Sequence, residues 1–243
     1  MAERPGRNMS FDLLAPHYRW LEIILAGEKL HRCRTAFLDE IPAAQNILLL
    51  GEGHGRCLIE CRRRFPNARI TCVDASAAML TQARRQLLRH NLKTDRVEFI
   101  HADVLAWTPD AGNYDLVSTN FFLDCFRADQ IQQLVTQVTT LTRPNANWLI
   151  ADFQNAATGW QRLRSRIILW SMYRFFRVAT RLPAKQLVTP DSFLEQAGFH
   201  LHRRTESEWH LLHSDWWIRT PAIAGSLEQH GDYKTKRQLP KAS

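Results

Sequence analysis

The chain reads as an α/β protein built on a doubly wound, seven-stranded, mostly parallel sheet, and three stretches carry that expectation. The first is Asn46 to Glu60, NILLLGEGHGRCLIE, which runs from four aliphatic residues through three alternating glycines into a helical pattern. Four consecutive aliphatics suit a strand buried on both faces of a sheet. The second is the order of elements: five strand candidates are separated by helical patterns, which calls for parallel pairing with crossovers. The third is the close, where the helix DSFLEQAGF precedes FHLHRRTESEWHLLHSDWWIRT, two strands expected to pair antiparallel.

Residues 1–10 are polar and basic and are expected to be disordered. Residues 11–45 read as two short helices before the first strand. Leu21, Ile24 and Leu25 carry the first, Gly27 is a candidate break, and Leu30, Cys33 and Phe37 carry the second. Residues 46–224 form the α/β domain, with a lid inserted at about 155–190. Residues 225–243 read as a basic, disordered tail.

Within the domain the first strand is Ile47 to Leu50, and Gly51, Gly53 and Gly55 make the turn after it. Such a turn lets backbone approach a ligand where a Cβ would collide. Gly-x-Gly-x-x-Gly, the dinucleotide fingerprint, is not met, because Arg56 stands where its third glycine belongs. The second strand, ARITCVDAS, ends in Asp74, 23 residues beyond Gly51. A carboxylate there can accept both ribose hydroxyls of an adenosine ligand. The alternative is that Asp74 or Ser76 caps the helix that follows. The third strand, DRVEFIHADVLAW, leads to Asp103 and Val104. The fourth, NYDLVSTNFFLDCF, carries Asp115 at its start and Thr119, Asn120 and Asp124 at its carboxyl end, and the fifth, NANWLIADF, ends at Asp152. Open α/β sheets bind ligands at those carboxyl ends.

At 243 residues the chain is expected to be one domain, with an ample core from 45% hydrophobic content. No apolar run approaches the roughly 18 residues of a membrane span. The N-terminus lacks the apolar core of a signal peptide, so a cytoplasmic placement is expected. Five scattered cysteines without a Cys-x-x-Cys pair speak against disulfides or zinc. His54, Cys57 and Cys61 come nearest to a metal cluster and are read as helix packing, so no metal is expected. A net charge of +8 points to an anionic partner, a nucleic acid or a lipid surface.

Gly-x-Gly-x-Gly after the first strand resembles the loop of class I S-adenosylmethionine (SAM) methyltransferases, and the likeness spans about residues 11 to 222. It implies the Rossmann-like methyltransferase fold and SAM as cofactor. It also implies SAM-binding roles for Gly51, Gly53, Gly55, Asp74 with Ala75 and Met79, Asp103, Val104, Asn120 and Phe121. In that pattern Asp103 meets the adenine amino group and Val104 packs on the ring. The acid common two residues before the first glycine is Leu49 here, and Glu52 is the candidate to take its place at the methionine end. The phrase Phe11-Asp12-Leu13-Leu14-Ala15-Pro16-His17-Tyr18 resembles the opening of the ubiquinone/menaquinone C-methyltransferase-like group, with Arg19 where that group usually has an acid. Tyr18 is accordingly expected to touch SAM or substrate.

Methyl transfer from a sulfonium needs alignment, exclusion of water and, for some acceptors, a base. The candidates for that pocket are His17, Tyr18, Asp124 and Tyr173. The acceptor expected is small or lipid-like, aromatic or a quinol. RNA methylation and a catalytically inactive SAM-binding assembly partner are the alternatives. Nucleic acid is not the expected partner, because no RNA-binding module or nucleotide-reading motif accompanies the charge. Residues Trp160 to Arg181 interleave five aromatics, Trp160, Trp170, Tyr173, Phe175 and Phe176, with six arginines and no acid. Such a segment suits either a pocket lid or a helix lying on an anionic membrane, at the inner membrane surface.

Overall fold

The computed structural model describes residues 27–109, 112–154, 188–208 and 210–221. Their strands are β1 (Asn46–Leu50), β2 (Arg69–Asp74), β3 (Val97–His101), β4 (Tyr114–Asn120), β5 (Thr142–Phe153), β6 (Phe199–Ser207) and β7 (Leu212–Arg219). Their helices are α1 (Gly27–Thr35), α2 (Arg56–Arg64), α3 (Ala77–Arg89), α4 (Ala128–Leu141) and α5 (Asp191–Gln196). All seven strands join one sheet in the order β3-β2-β1-β4-β5-β7-β6. Pairing is parallel from β3 to β5, and β7 runs antiparallel to both β5 and β6. The chain winds outward from β1 in one direction and from β4 in the other, so a crevice opens over the carboxyl ends of β1 and β4.

The four aliphatics of β1 divide between the two faces. Ile47 and Leu49 pack with Leu58 of α2 and with Leu80 and Leu87 of α3. Leu48 and Leu50 pack on the other face with Val135 and Val138 of α4 and with Trp148. Period-two side chains buried on both faces are why this strand reads as one unbroken apolar run. Each such side chain removed from water stabilises the fold by roughly 1.5–3 kcal/mol. Leu49 is fully buried between sheet and helices, so an acid there would be stranded in the core.

At the N-terminal side of the described residues, α1 begins at Gly27 and buries Leu30 and Cys33 against the ends of β5 and β7. Ser214 Oγ donates to the Cys33 carbonyl at 2.8 Å, which fastens α1 to β7. One boundary is a correction: β5 starts at Thr142, three residues before the stretch NANWLIADF read from the sequence, which begins at Asn145. Pairing passes from Tyr114↔Thr142 to Leu116↔Asn147, and the extra residues include Pro144 and Asn145, the latter at φ +63°. A proline and a left-handed residue read as a turn, but a bulge absorbs both. The expectations for residues 1–26, with His17 and Tyr18, for the segment 155–187, with Tyr173, and for the tail lie outside the described residues.

Candidate functional site

The loop after β1 is held from the neighbouring strand. Asp74 Oδ2 accepts the Gly53 N–H at 3.0 Å, and its Oδ1 accepts the Ser76 N–H at 2.9 Å. The cap of α3 is Ser76, whose Oγ accepts the Met79 N–H at 3.2 Å, so Asp74 is not needed for it. Asp74 stays half-buried. Burial raises its pKa, while the Ser76 and Gly53 amides and the nearby His101 pull the other way. Each carboxylate oxygen keeps acceptor capacity beyond its one backbone bond. Ala75 is half-buried, with its carbonyl 3.1 Å from His101 Nε2, and the Met79 side chain is buried at the start of α3.

The glycines differ in what lies above them. A Cβ on Gly51, at φ +66°, would stand 2.1 Å from Cδ2 of Phe122, so the ring after β4 rests on this backbone. A Cβ on Gly53, at φ +63°, would meet nothing within 4 Å among the described residues. Open room over Gly53, beside the Asp74 carboxylate, suits an adenosine ligand lying across the ends of β1 and β2. Gly55 caps α2 and backs onto Ala83 of α3.

One oxygen of Glu52 is tied to the helix that follows the loop. Its Oε1 accepts the Leu58 N–H at 3.0 Å, which caps α2 in the first turn. Burial pushes its pKa well above the usual carboxylate range, the neighbouring Cys57 adds to this, and Leu58 and Arg34 offset part of it. That oxygen serves the helix rather than the mouth of the loop. Asp103 lies exposed after β3, one oxygen accepting the Leu105 N–H at 3.0 Å, and Val104 is buried in the core on the α4 face.

At the carboxyl end of β4, Asn120 is buried. Its Nδ2 donates to Ser118 Oγ at 3.0 Å, and its Oδ1 has no hydrogen-bond partner among the described residues. A buried amide oxygen without a donor is costly, and a ligand ammonium or hydroxyl above the strand would satisfy it. Phe121 stands at φ +53°, its N–H bonded to the Ala151 carbonyl and its ring 5.1 Å from that of Phe153. The orphaned Asn120 oxygen, the free space over Gly53 and the Asp74 carboxylate together fit SAM.

Next to this crevice lies Asp124, one of the residues expected in the acceptor pocket, together with Asp152, His213 and Arg204, which sequence reasoning did not place there. Asp124, on the short helical turn Leu123–Cys125, lines a cavity with Asp152 of β5, His213 of β7 and Arg204 of β6. Burial raises the Asp124 pKa to about 6, with Cys125 and His213 pulling down. Asp152 is pushed well above its usual range by burial and then by Asp124, against the amides of Leu123, Asp124 and Phe122. Asp152 and His213 face each other in the β5–β7 register, some sixty residues apart in the chain. Three polar residues inside an apolar strand, His213-Ser214-Asp215, were the available signal.

Comparison with known proteins shows what this frame is similar to. Residues 47–145 match the family model described as a methyltransferase domain. A trans-aconitate 2-methyltransferase of Paracidovorax citrulli is 40% identical over 81 residues, which is 33% of this chain and 28% of that protein. A tRNA1(Val) (adenine(37)-N6)-methyltransferase of Vibrio parahaemolyticus is 36% identical over 70 residues, 29% of each chain. This chain thus spans under a third of the length of these curated relatives. The 1,6-didemethyltoxoflavin-N1-methyltransferase of Burkholderia thailandensis, solved with S-adenosylhomocysteine bound, superposes with a TM-score of 0.61 at 14% identity. That superposition covers 91% of this chain and 93% of the other, and it establishes the fold.

Proposed function

We propose that the chain is a SAM-dependent methyltransferase acting on a small-molecule or lipid-like acceptor, aromatic or a quinol. The observation that carries it is the Asp74–Gly53 clasp beneath open space, inside a stretch that matches a methyltransferase domain. Bound there, SAM supplies an electrophilic methyl group on a sulfonium. Asp74 would take the ribose hydroxyls, Asp103 the adenine amino group, and Asn120 a donor at the methionine end. Phe121 and Phe122, at the end of β4, would wall the crevice and keep water from it. The two relatives named above differ in acceptor, so the shared stretch supports the cofactor half and leaves the acceptor to this chain's own residues.

The test has two arms. Calorimetry should find SAM and S-adenosylhomocysteine binding with a stoichiometry of one and no binding of NAD. Labelled methyl groups from SAM should then appear in one of a panel of hydroquinones, phenols, amines, phospholipids or an RNA transcript. NAD displaced by SAM from a shared site would sink the cofactor assignment. SAM binding without transfer to any of these would leave a binding protein in place of an enzyme.

A further inference from the structure

Beyond the crevice over β1 and β4, a cavity between β5, β7 and the β4 turn carries two acidic side chains, Asp124 and Asp152, to which the cofactor site assigns no role. Among the described residues it is lined by Asp124, Asp152, Gln154, His213, Arg204 and Asp191, together with several apolar side chains. Arg204 is already committed: it binds both oxygens of Asp215 at 2.6 Å and both of Asp191 at 3.0–3.1 Å. Also facing the space are the carboxyls of Asp124 and Asp152 and the His213 ring. Asp152 is only 4% exposed, yet its Oδ1 has no hydrogen-bond partner among the described residues. His213 is equally buried, and its Nδ1, 3.1 Å from Asp215 Oδ1, lies off the line of a hydrogen bond. A buried carboxylate oxygen without a donor is destabilising unless something brings one.

The turn Phe121–Cys125 links this cavity to the cofactor crevice. Phe122 at its start rests on Gly51, and Asp124 near its end lines the cavity with Asp152. A molecule in the cavity would therefore lie across one short turn from the glycine loop.

We propose, resting on the methyltransferase reading, that this cavity receives the acceptor and that Asp124 and Asp152 grip and deprotonate its hydroxyl or amine. The acceptor class is a neutral or cationic O–H or N–H donor, and carboxylates are rejected. The acceptor hydrogen bonds to the Asp152 oxygen that has no donor. Its proton passes to the Asp124 carboxylate, and the freed lone pair bonds to the methyl carbon. The carbon–sulfur bond breaks with its electron pair staying on sulfur, so the sulfonium becomes a neutral thioether. The groups facing Asp124 are Cys125 on its own turn, Asp152 from β5 and His213 from β7, with Arg204 from β6 and Asp191 from α5 on the same wall. A base whose burial sets its pKa at about 6 is matched to this task near neutral pH.

The test reads binding as well as turnover. With S-adenosylhomocysteine present, calorimetry on the full chain should show benzylamine and hydroquinone binding about tenfold or more tightly than phenylacetate. The double variant Asp124→Asn/Asp152→Asn should bring the three to within about twofold while S-adenosylhomocysteine affinity stays within about twofold. Comparing hydroquinone with benzylamine separates the two donor chemistries. Turnover of whichever is methylated should fall about 100-fold in Asp124→Asn, and the wild-type pH–rate profile should rise through about pH 6 and lose that limb in the variant. Phenylacetate binding as tightly as the amine, or a variant with unchanged preference and pH profile, overturns the proposal while leaving the methyltransferase reading intact. Failure to bind S-adenosylhomocysteine at all overturns both.

Discussion

Cδ2 of Phe122 lies 2.1 Å from the point where a Cβ on Gly51 would stand, so the turn after β4 is seated on the loop after β1. The two carboxyl ends that frame the crevice are thereby locked to each other through one aromatic ring and one glycine.

Gly51→Ala should disturb both ends. It forces a side chain into φ +66°, at roughly 1–2 kcal/mol, and displaces the Phe122 ring. SAM affinity should fall at least about tenfold, and the melting temperature should drop. Gly53→Ala carries similar backbone strain and no contact, so it should lose SAM affinity chiefly because the new methyl fills ligand space. Calorimetry on both variants checks this. Full SAM affinity in Gly53→Ala would place the ligand elsewhere.

Asp74→Ala removes two backbone hydrogen bonds as well as the ribose acceptor. SAM affinity should fall about ten- to several-hundredfold. Because Asp74 also fastens Gly53, the fold should weaken by about 1–3 kcal/mol, a few degrees in melting temperature. Asp74→Asn, which keeps one acceptor oxygen, should recover part of the stability. A variant as stable as wild type would show the loop holding its shape without the clasp.

The stability of the protein should fall as pH rises through the acid range. Asp124 has its pKa raised from 3.8 unfolded to about 6 folded, chiefly by burial. The native state therefore binds its proton more tightly. The contribution is fully present below about pH 3.8, is lost as pH rises to about 6, and amounts to about 2–3 kcal/mol at most. Asp152 is shifted in the same direction, so its loss continues to higher pH. Urea denaturation of wild type and Asp124→Asn at pH 4, 5, 6 and 7.5 should show near-equal stability at pH 4 and a more stable variant at pH 7.5. A constant difference across that range would contradict the burial effect.

Arg204 and Asp215 should behave as a unit. Asp215 is fully buried, and burial would raise its pKa, but Arg204 and then His213 outweigh this and lower it. Arg204→Met leaves that charge without its main partner and should lower stability by about 2–4 kcal/mol, somewhat below the usual figure for a buried pair because Arg204 is partly exposed. Arg204→Met/Asp215→Leu should recover most of the loss. Additive losses in a double-mutant cycle would mean that the pair contributes nothing as a pair.

The segment Trp160 to Arg181 is proposed to rest on an anionic membrane. Its six arginines, each contributing about 1 kcal/mol near such a surface, would give reversible binding. Sedimentation with anionic vesicles should carry the protein down in a salt-sensitive way, neutral vesicles should not, and Arg174, Arg177 and Arg181 changed together to Gln should abolish the effect. Equal recovery in the supernatant with both lipids would move the acceptor toward a water-soluble metabolite.

Local pattern was enough for the frame. The run Ile47–Leu50, the alternating glycines and Asp74 at the end of the next strand sit within 30 residues, and backbone geometry and strand periodicity act over that range. The closing helix, Gly198 and the antiparallel pair were legible for the same reason. Tertiary structure alone decided which side chain meets which. Glu52 reads as a loop acid, but the nearest unsatisfied donors are the amides of the helix it precedes, and Leu58 takes its oxygen. Asp152 reads as the last residue of a strand until β7 returns antiparallel and sets His213 opposite it. Burial then turns that acid and Asp124 into a pair with raised pKa values, because a low-dielectric cavity penalises charge that water would have screened. Register and desolvation belong to the assembled sheet, and no window of sequence contains them.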